Sequence, residues 1–220
     1  MDDASILIAR RAAREIEPGN VINLGIGIPL LIPQVLPPQL SCLVHQEAGY
    51  VGMGPRAAPG EEDPTITDAA GNHVTLLPGA ACFDSAVSFC IVRGGRLDCA
   101  FLGALEVDAD GNLANWTIPG KWSPGIGGGM ELAQKARRVI VTMRHCDKNG
   151  APKIVERCRL PLTAPHCVSL IVTELGVFSV GGPGRLTLIE LMGGASLEDV
   201  RGRTAAAFSV QLRPEPGRTS

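Results

Sequence analysis

Aromatic side chains are scarce, at 4% of 220 residues against 45% hydrophobic residues in all, so any core must be aliphatic. Charge is sparse too: charged residues make up 19%, with a formal net charge of −2 and a pI near 6.1. No Lys/Arg run is longer than Arg137-Arg138. Without a long-range positive field or a basic stripe, nucleic acid is not an expected partner. The seven cysteines contain no C-x-x-C pair, and an odd number at such spacing reads as free thiols in a reducing compartment, not a disulfide framework. No window approaches the roughly 18 apolar residues of a membrane span. The first residues lack the uninterrupted apolar segment of a signal peptide. The expectation is a cytoplasmic protein with no membrane partner.

A chain of this length can remove roughly 70–75% of its unfolded surface from water, and 27 glycines with 17 prolines mean that it turns often. That combination suits an α/β sheet with many connections. Ile6, Ala9, Ala13 and Ile16 recur at helical spacing, with Ser5 or Asp3 as N-cap and Pro18-Gly19 as the stop. Val21–Leu24 reads as a buried strand running into Gly25-Ile26-Gly27, followed by a helix from Leu30 to Leu36 closed by Pro37-Pro38. Ser41–Val44 is the next strand, and residues 55 to 73 form a breaker-rich surface excursion. Val74–Leu77 resumes the sheet until Pro78-Gly79, and Cys82 to Ile91 suits a helix. Further strands are expected at Leu97–Leu102, Asn112–Trp116, Val139–Met143, Leu170–Val172 and Leu186–Leu191, with helices after Gly129 and Ser196. With no internal repeat and no dividing linker, residues 1–210 read as one domain and 211–220 as a polar tail.

Three places carry candidate chemistry. Glu47 follows an apolar run and precedes glycines at 49, 52 and 54, which is how a carboxylate is displayed as a nucleophile; an acidic residue in an ordinary turn fits equally well. Gly125 to Gly129 open a helix, where backbone N–H groups without intrahelical partners can face an anion. The cluster lacks the G-K-[ST] of a phosphate cradle and the spacing of a dinucleotide fingerprint, so a tight turn with positive φ is the competing reading. Asn23 with Gly25 and Gly27 lies at a strand end, where open α/β sheets gather ligands; its amide either orients a substrate or satisfies the turn. His45, His73, His145 and His166 lack metal-ligand spacing and read as ordinary side chains, and no metal is expected. Cys82 and Cys90 read as helix core residues.

Seven segments occur in one order: Asn23-Leu-Gly-Ile-Gly-Ile-Pro29, Glu47-Ala-Gly-Tyr-Val-Gly-Met-Gly-Pro55, Leu77-Pro-Gly-Ala80, Ile91-Val-Arg-Gly-Gly95, Leu113-Ala-Asn-Trp-Thr-Ile-Pro-Gly-Lys121, Gly125-Ile-Gly-Gly-Gly-Met130 and Leu160-Pro-Leu-Thr163. In that order and spacing the chain resembles the B subunit of the 3-oxoacid CoA-transferases, over nearly its whole length. The resemblance implies an α/β fold with an open, mostly parallel sheet flanked by helices. It also implies an A subunit that closes the active site, in an A2B2 heterotetramer. Transfer would be ping-pong, through a glutamyl-CoA thioester on Glu47, with the backbone N–H of Gly128 directed at the reacting carbonyl. The second oxyanion donor of the family belongs to the A subunit. Contacts to coenzyme A are expected from Asn23, Gly25, Gly27, Gly49, Gly127 and Gly129. Acyl-CoA and short carboxylic acids enter as substrates, and no cofactor is held permanently.

One departure from the family pattern matters. Where the family usually has Ser-Glu-Asn-Gly, this chain has Gln46-Glu47-Ala48-Gly49, so the amide beside the nucleophile is missing. The leading expectation is a CoA-transferase acting on short-chain 3-oxo acids. An acyl-CoA hydrolase on the same fold and glutamate is the alternative, with Ala48 leaving room for water; a non-catalytic subunit is a third reading, opposed by the retention of both Glu47 and Gly128.

Overall fold

A computed structural model describes residues 2–37, 39–123 and 125–213. Helix α1 (Asp3–Ala13) leads into strand β1 (Val21–Leu24), a 3-10 turn at Ile28–Leu31 and a one-turn helix α2 (Ile32–Val35). Strands β2 (Leu43–Gln46), β3 (Tyr50–Arg56) and β4 (Val74–Cys82) follow, then α3 (Ser85–Arg93), β5 (Cys99–Leu102), β6 (Glu106–Asp108) and β7 (Leu113–Ala114). The second half comprises α4 (Gly129–Lys135), β8 (Arg138–Thr142), β9 (Ile154–Val155), β10 (Val168–Val172), β11 (Gly176–Val180), β12 (Leu186–Leu191), α5 (Leu197–Arg203) and β13 (Ser209–Val210).

Among the described residues, ten strands form one mixed sheet in the order β13-β12-β11-β10-β8-β5-β1-β2-β3-β4, and β7-β6-β9 form a small second sheet. The middle of the large sheet, β10-β8-β5-β1-β2, is parallel. Antiparallel pairs flank it: β10-β11-β12 on one side and β2-β3-β4 on the other. Central strands are covered on both faces, which explains their continuous apolar runs. Phe101 and Ile140 turn one way, into a core with Ile8, Ala12 and Ile16 of the α1 segment. Ala100, Leu102, Val139 and Val141 turn the other way, toward Val107 and Ile154 of the small sheet and Val200 of α5. This is the period-2 alternation of a pleated strand.

Several local expectations change. The cap of α1 is Asp2, whose carboxylate accepts from Ser5 N–H at 2.9 Å; Asp3 and Ser5 both lie inside the helix. β4 does not stop at Pro78-Gly79. As the last strand of the sheet it pairs on one side only, so a proline without an N–H is tolerated there. α3 consequently begins at Ser85, with Asp84 capping it. Gly52 and Gly54 belong to β3, not to a turn: a Cβ at Gly52 would stand 2.8 Å from Ala80 Cβ, and one at Gly54 2.5 Å from Thr75 Oγ1, so the close approach of β4 requires them. Ser196 does cap α5, in a reciprocal capping box with Asp199. Residues 211–213 are exposed and irregular; Pro38 and residues 214–220 of the expected tail lie outside the described residues.

Candidate active site

The parallel strands β5, β1 and β2 are neighbours, and their carboxyl ends deliver Leu102-Gly103, Leu24-Gly25 and Gln46-Glu47 to one place. Such an edge is where open α/β sheets place ligands. Gly25 permits the close approach, with its N–H 2.8 Å from Phe101 O and the site of a Cβ only 3.2 Å from that oxygen. Glu47 begins the turn between β2 and β3. Gly49 N–H donates to Gln46 O at 3.1 Å, its φ is +133°, and a Cβ there would overlap Phe83 O. The turn is therefore tight, and Glu47 is half-buried while Ala48 is exposed with no polar atom to offer.

The glycine loop closes over this carboxylate. Gly125 and Gly127 have positive φ, +101° and +51°, and Gly128 precedes the first turn of α4. A Cβ at Gly128 would overlap Glu47 Oε2 and stand 2.8 Å from Phe89 Cζ. The absence of a side chain is what lets the Gly128 backbone come up against the carboxylate. Burial pushes the Glu47 pKa above the ordinary glutamate range, and the Gly128 N–H pulls it partly back. Helix α4 is braced on α3 by a bidentate pair, Arg93 Nε to Glu131 Oε2 and Arg93 Nη2 to Glu131 Oε1, both at 2.7 Å. The guanidinium also lies 5.5 Å from the Phe89 ring centre.

Beside Glu47 lies a cavity of about 430 Å³, lined among others by Asn23, Gly25, Leu102, Gly103, Asn115, Trp116, Ile126 and Gly129. Glu47 is the only ionisable side chain among its described lining residues. Asn115 is held by Thr163, whose hydroxyl donates to Asn115 Oδ1 at 2.6 Å, and its own amide donates to Gly103 O at 3.1 Å. Behind the wall, Asn23 contacts His45, and His45 contacts Ser88. Burial lowers the His45 pKa, so the ring is neutral. A larger, more apolar groove of about 730 Å³ adjoins the cavity through Ile26 and runs past Gly27, Leu30, Met53 and Arg56.

The structure thus brings Asn23, Gly25, Glu47, Gly128 and Gly129 together. Gly127 stands one step back, with a Cβ position 4.0 Å from Glu47 Oε1. Gly27 lines the neighbouring groove instead, and Gly49 shapes the turn without lining the cavity. No group of three His, Cys, Asp or Glu side chains with metal-binding geometry occurs among the described residues. His45, Ser88, Phe89, Asn115 and Trp116 are among the residues of the site that the sequence reading gave no role. The visible signal for His45 was its position in the strand that leads into Glu47. Cys90 and Cys82, expected in a core, are exposed.

The family model described as coenzyme A transferase matches residues 6–202. The acetate CoA-transferase subunit beta of Escherichia coli (strain K12) is 45% identical over 208 residues, covering 94% of each chain. The mitochondrial succinyl-CoA:3-ketoacid coenzyme A transferase 2 of Homo sapiens is 45% identical over 216 residues, 97% of this chain but 42% of that one. A solved acyl-CoA transferase apoenzyme from Escherichia coli O157:H7 superposes with a TM-score of 0.74 at 22% identity, covering 98% of this chain and 44% of the other. The chain therefore spans nearly all of a bacterial beta subunit and less than half of the two longer relatives.

Proposed function

The chain belongs to the coenzyme A transferase family, and from that premise we propose that it is the beta subunit of a two-subunit enzyme moving coenzyme A between an acyl-CoA and a short-chain 3-oxo acid, with Glu47 as nucleophile. The observation that carries the reading is the Glu47 carboxylate, half-buried at a cavity wall and enclosed by Gly128. The carboxylate form of glutamate is itself the nucleophile, so it needs no base. It is a weak nucleophile toward a thioester and depends on position.

In the proposed sequence a Glu47 oxygen attacks the thioester carbonyl, and collapse of the tetrahedral adduct breaks the C–S bond, leaving an acyl-glutamyl anhydride and the CoA thiolate. The thiolate then adds to Glu47 Cδ. The bond between Cδ and the bridging oxygen breaks, the first acid departs as a carboxylate carrying that oxygen, and Glu47 carries CoA as a thioester. A second carboxylate reverses both steps and leaves as the new acyl-CoA. When the thiolate adds to Cδ, the oxyanion forms on Glu47 itself, and the adjacent Gly128 N–H is the donor this reading assigns to it. Removing one such donor costs about 3–4 kcal/mol in comparable sites. The described lining residues include no cation to receive the acid's carboxylate, which fits an alpha subunit supplying that part of the pocket and sealing it from water.

Hydrolysis is the second reading, favoured by exposed Ala48, which offers nothing to hold an acceptor acid. Incubation with acyl-CoA and no acceptor, borohydride reduction and peptide mass spectrometry test the reading. The expected result is CoA-dependent modification at Glu47. Modification of a cysteine with Glu47 untouched would overturn it.

A further inference from the structure

A fully buried histidine stands behind the wall of the cavity, and the transfer chemistry does not use it. His45 on β2 is the register partner of Asn23 on β1, and none of its surface reaches solvent. Asn23 Nδ2 lies 3.1 Å from the His45 carbonyl oxygen. A carbonyl only accepts, so the nitrogen end of the carboxamide must face His45. The same nitrogen lies 3.4 Å from His45 Nδ1, which must then carry a lone pair. A neutral imidazole has one N–H, so it resides on Nε2 and donates to Ser88 Oγ at 2.9 Å. The Ser88 hydroxyl in turn donates to Gln46 O at 3.2 Å. Each hydrogen in this chain has one direction, and the other tautomer would set two donors against each other at Asn23.

The polar atom left over is Asn23 Oδ1. No group among the described residues donates to it, and Asn23 lines the cavity. An acceptor there selects for a donor on the ligand. Acyl carbonyls and carboxylates carry none. In an acyl-CoA the donor nearest the reacting carbon is the amide N–H two methylenes from the sulfur. We propose that His45 is a positioning residue for acyl-CoA: through its fixed tautomer it holds the Asn23 carboxamide so that Oδ1 accepts the amide N–H nearest the thioester, aligning that thioester with Glu47. The identity of the ligand rests on the transferase reading; the direction of the hydrogen bonds does not.

The test uses this chain assembled with its alpha subunit. Nitrogen NMR of labelled histidine should show His45 protonated at Nε2 and bare at Nδ1, and a protonated Nδ1 overturns the proposal whatever the activity. His45→Leu removes the acceptor and should raise KM for acyl-CoA about three- to tenfold, the worth of one neutral hydrogen bond, with kcat and the KM of the acid little changed. His45→Gln keeps one acceptor and one donor and should recover most of that loss. A thioester analogue with an ester oxygen in place of that amide N–H should lose a similar factor on the unaltered protein and nothing further on the leucine variant. Equal impairment of the leucine and glutamine variants, or equal analogue penalties on both proteins, would refute it. Should the leucine variant fail to assemble, the analogue, the glutamine variant and the tautomer still decide. Trapping of CoA on Glu47 tests the transferase reading separately, since the tautomer is read without turnover.

Discussion

Replacing Gly128 by alanine inserts one methyl group between the glycine loop and the nucleophile. The backbone does not resist it: Gly128 has φ −78° and ψ 0°, an ordinary conformation for alanine. The collision is local, with Glu47 Oε2 overlapped, Glu47 Cδ at 3.0 Å and Phe89 Cζ at 2.8 Å. Helix α4 cannot easily retreat, because the two 2.7 Å contacts between Arg93 and Glu131 tie it to α3. The flexible partner is the carboxylate, which should swing away and lose its N–H. Loss of one oxyanion donor lowers kcat by about 10²–10³, and misplacing a nucleophile by about 1 Å costs a further factor that overlaps with it. Overpacking costs stability only about 1–3 kcal/mol, roughly a few degrees in Tm per kcal/mol at this size. Transfer assays, CoA trapping and a melting curve on the assembled complex should show kcat reduced about 10²–10³-fold, with assembly intact. Gly127→Ala is the control: it strains a backbone at φ +51° but leaves 4.0 Å to Oε1, so it should cost stability more than rate. Wild-type kcat in Gly128→Ala, or a loss wholly matched by unfolded protein, would refute the cradle.

Glu47→Gln and Glu47→Asp should both abolish transfer, by at least about 10²-fold for the aspartate, whose carboxylate is withdrawn by one methylene; wild-type rates in either would remove Glu47 from the mechanism. Because burial raises the Glu47 pKa, kcat/KM should fall on acidification above the ordinary glutamate range. The same sign makes stability decline as pH rises through the raised value, since ionisation is then harder in the folded chain. Glu47→Gln should therefore raise Tm near neutral pH and have little effect where both states are protonated; a Tm lowered at neutral pH would contradict this. Ala48→Asn should favour transfer over hydrolysis by a few-fold to roughly tenfold, the worth of a neutral hydrogen bond, read from both product channels in one assay. The chain without an alpha subunit should not turn over, and full activity alone would refute the two-subunit reading.

What was legible in the sequence was set by local rules. Buried parallel strands such as β8 and β10 show as unbroken apolar runs, and Ser196 with Asp199 announces its own helix. Glu47 and the loop at Gly128 were legible as motifs, though only the fold brings them together across 81 residues. Elsewhere tertiary context decided. Glycine marks both turns and places where another backbone comes close, and nothing in the sequence said that Gly52 and Gly54 were the latter. Pro78 breaks a central strand but not one at the sheet's end, and sheet order is not written locally. Two-residue strands such as β9 and β13 are too short to carry a period. His45 failed a test for metal spacing because its partners, Asn23 and Ser88, come from other elements.

If Glu47 is the nucleophile, then this chain's side of the cavity, where it is the one ionisable group among the described lining residues, controls who enters by its own chemical state. While Glu47 is a free carboxylate, an acid anion brought to within about 4 Å meets a repulsion of roughly 4 kcal/mol at a permittivity typical of protein surfaces. A thioester, neutral at its reacting end, meets none. Esterification of CoA to Glu47 would discharge that charge, and the same cavity would become admissible to a carboxylate. On that mechanism this chain's own contribution to the order of the two half-reactions is electrostatic: donor and acceptor are sorted by whether the wall beside them is charged.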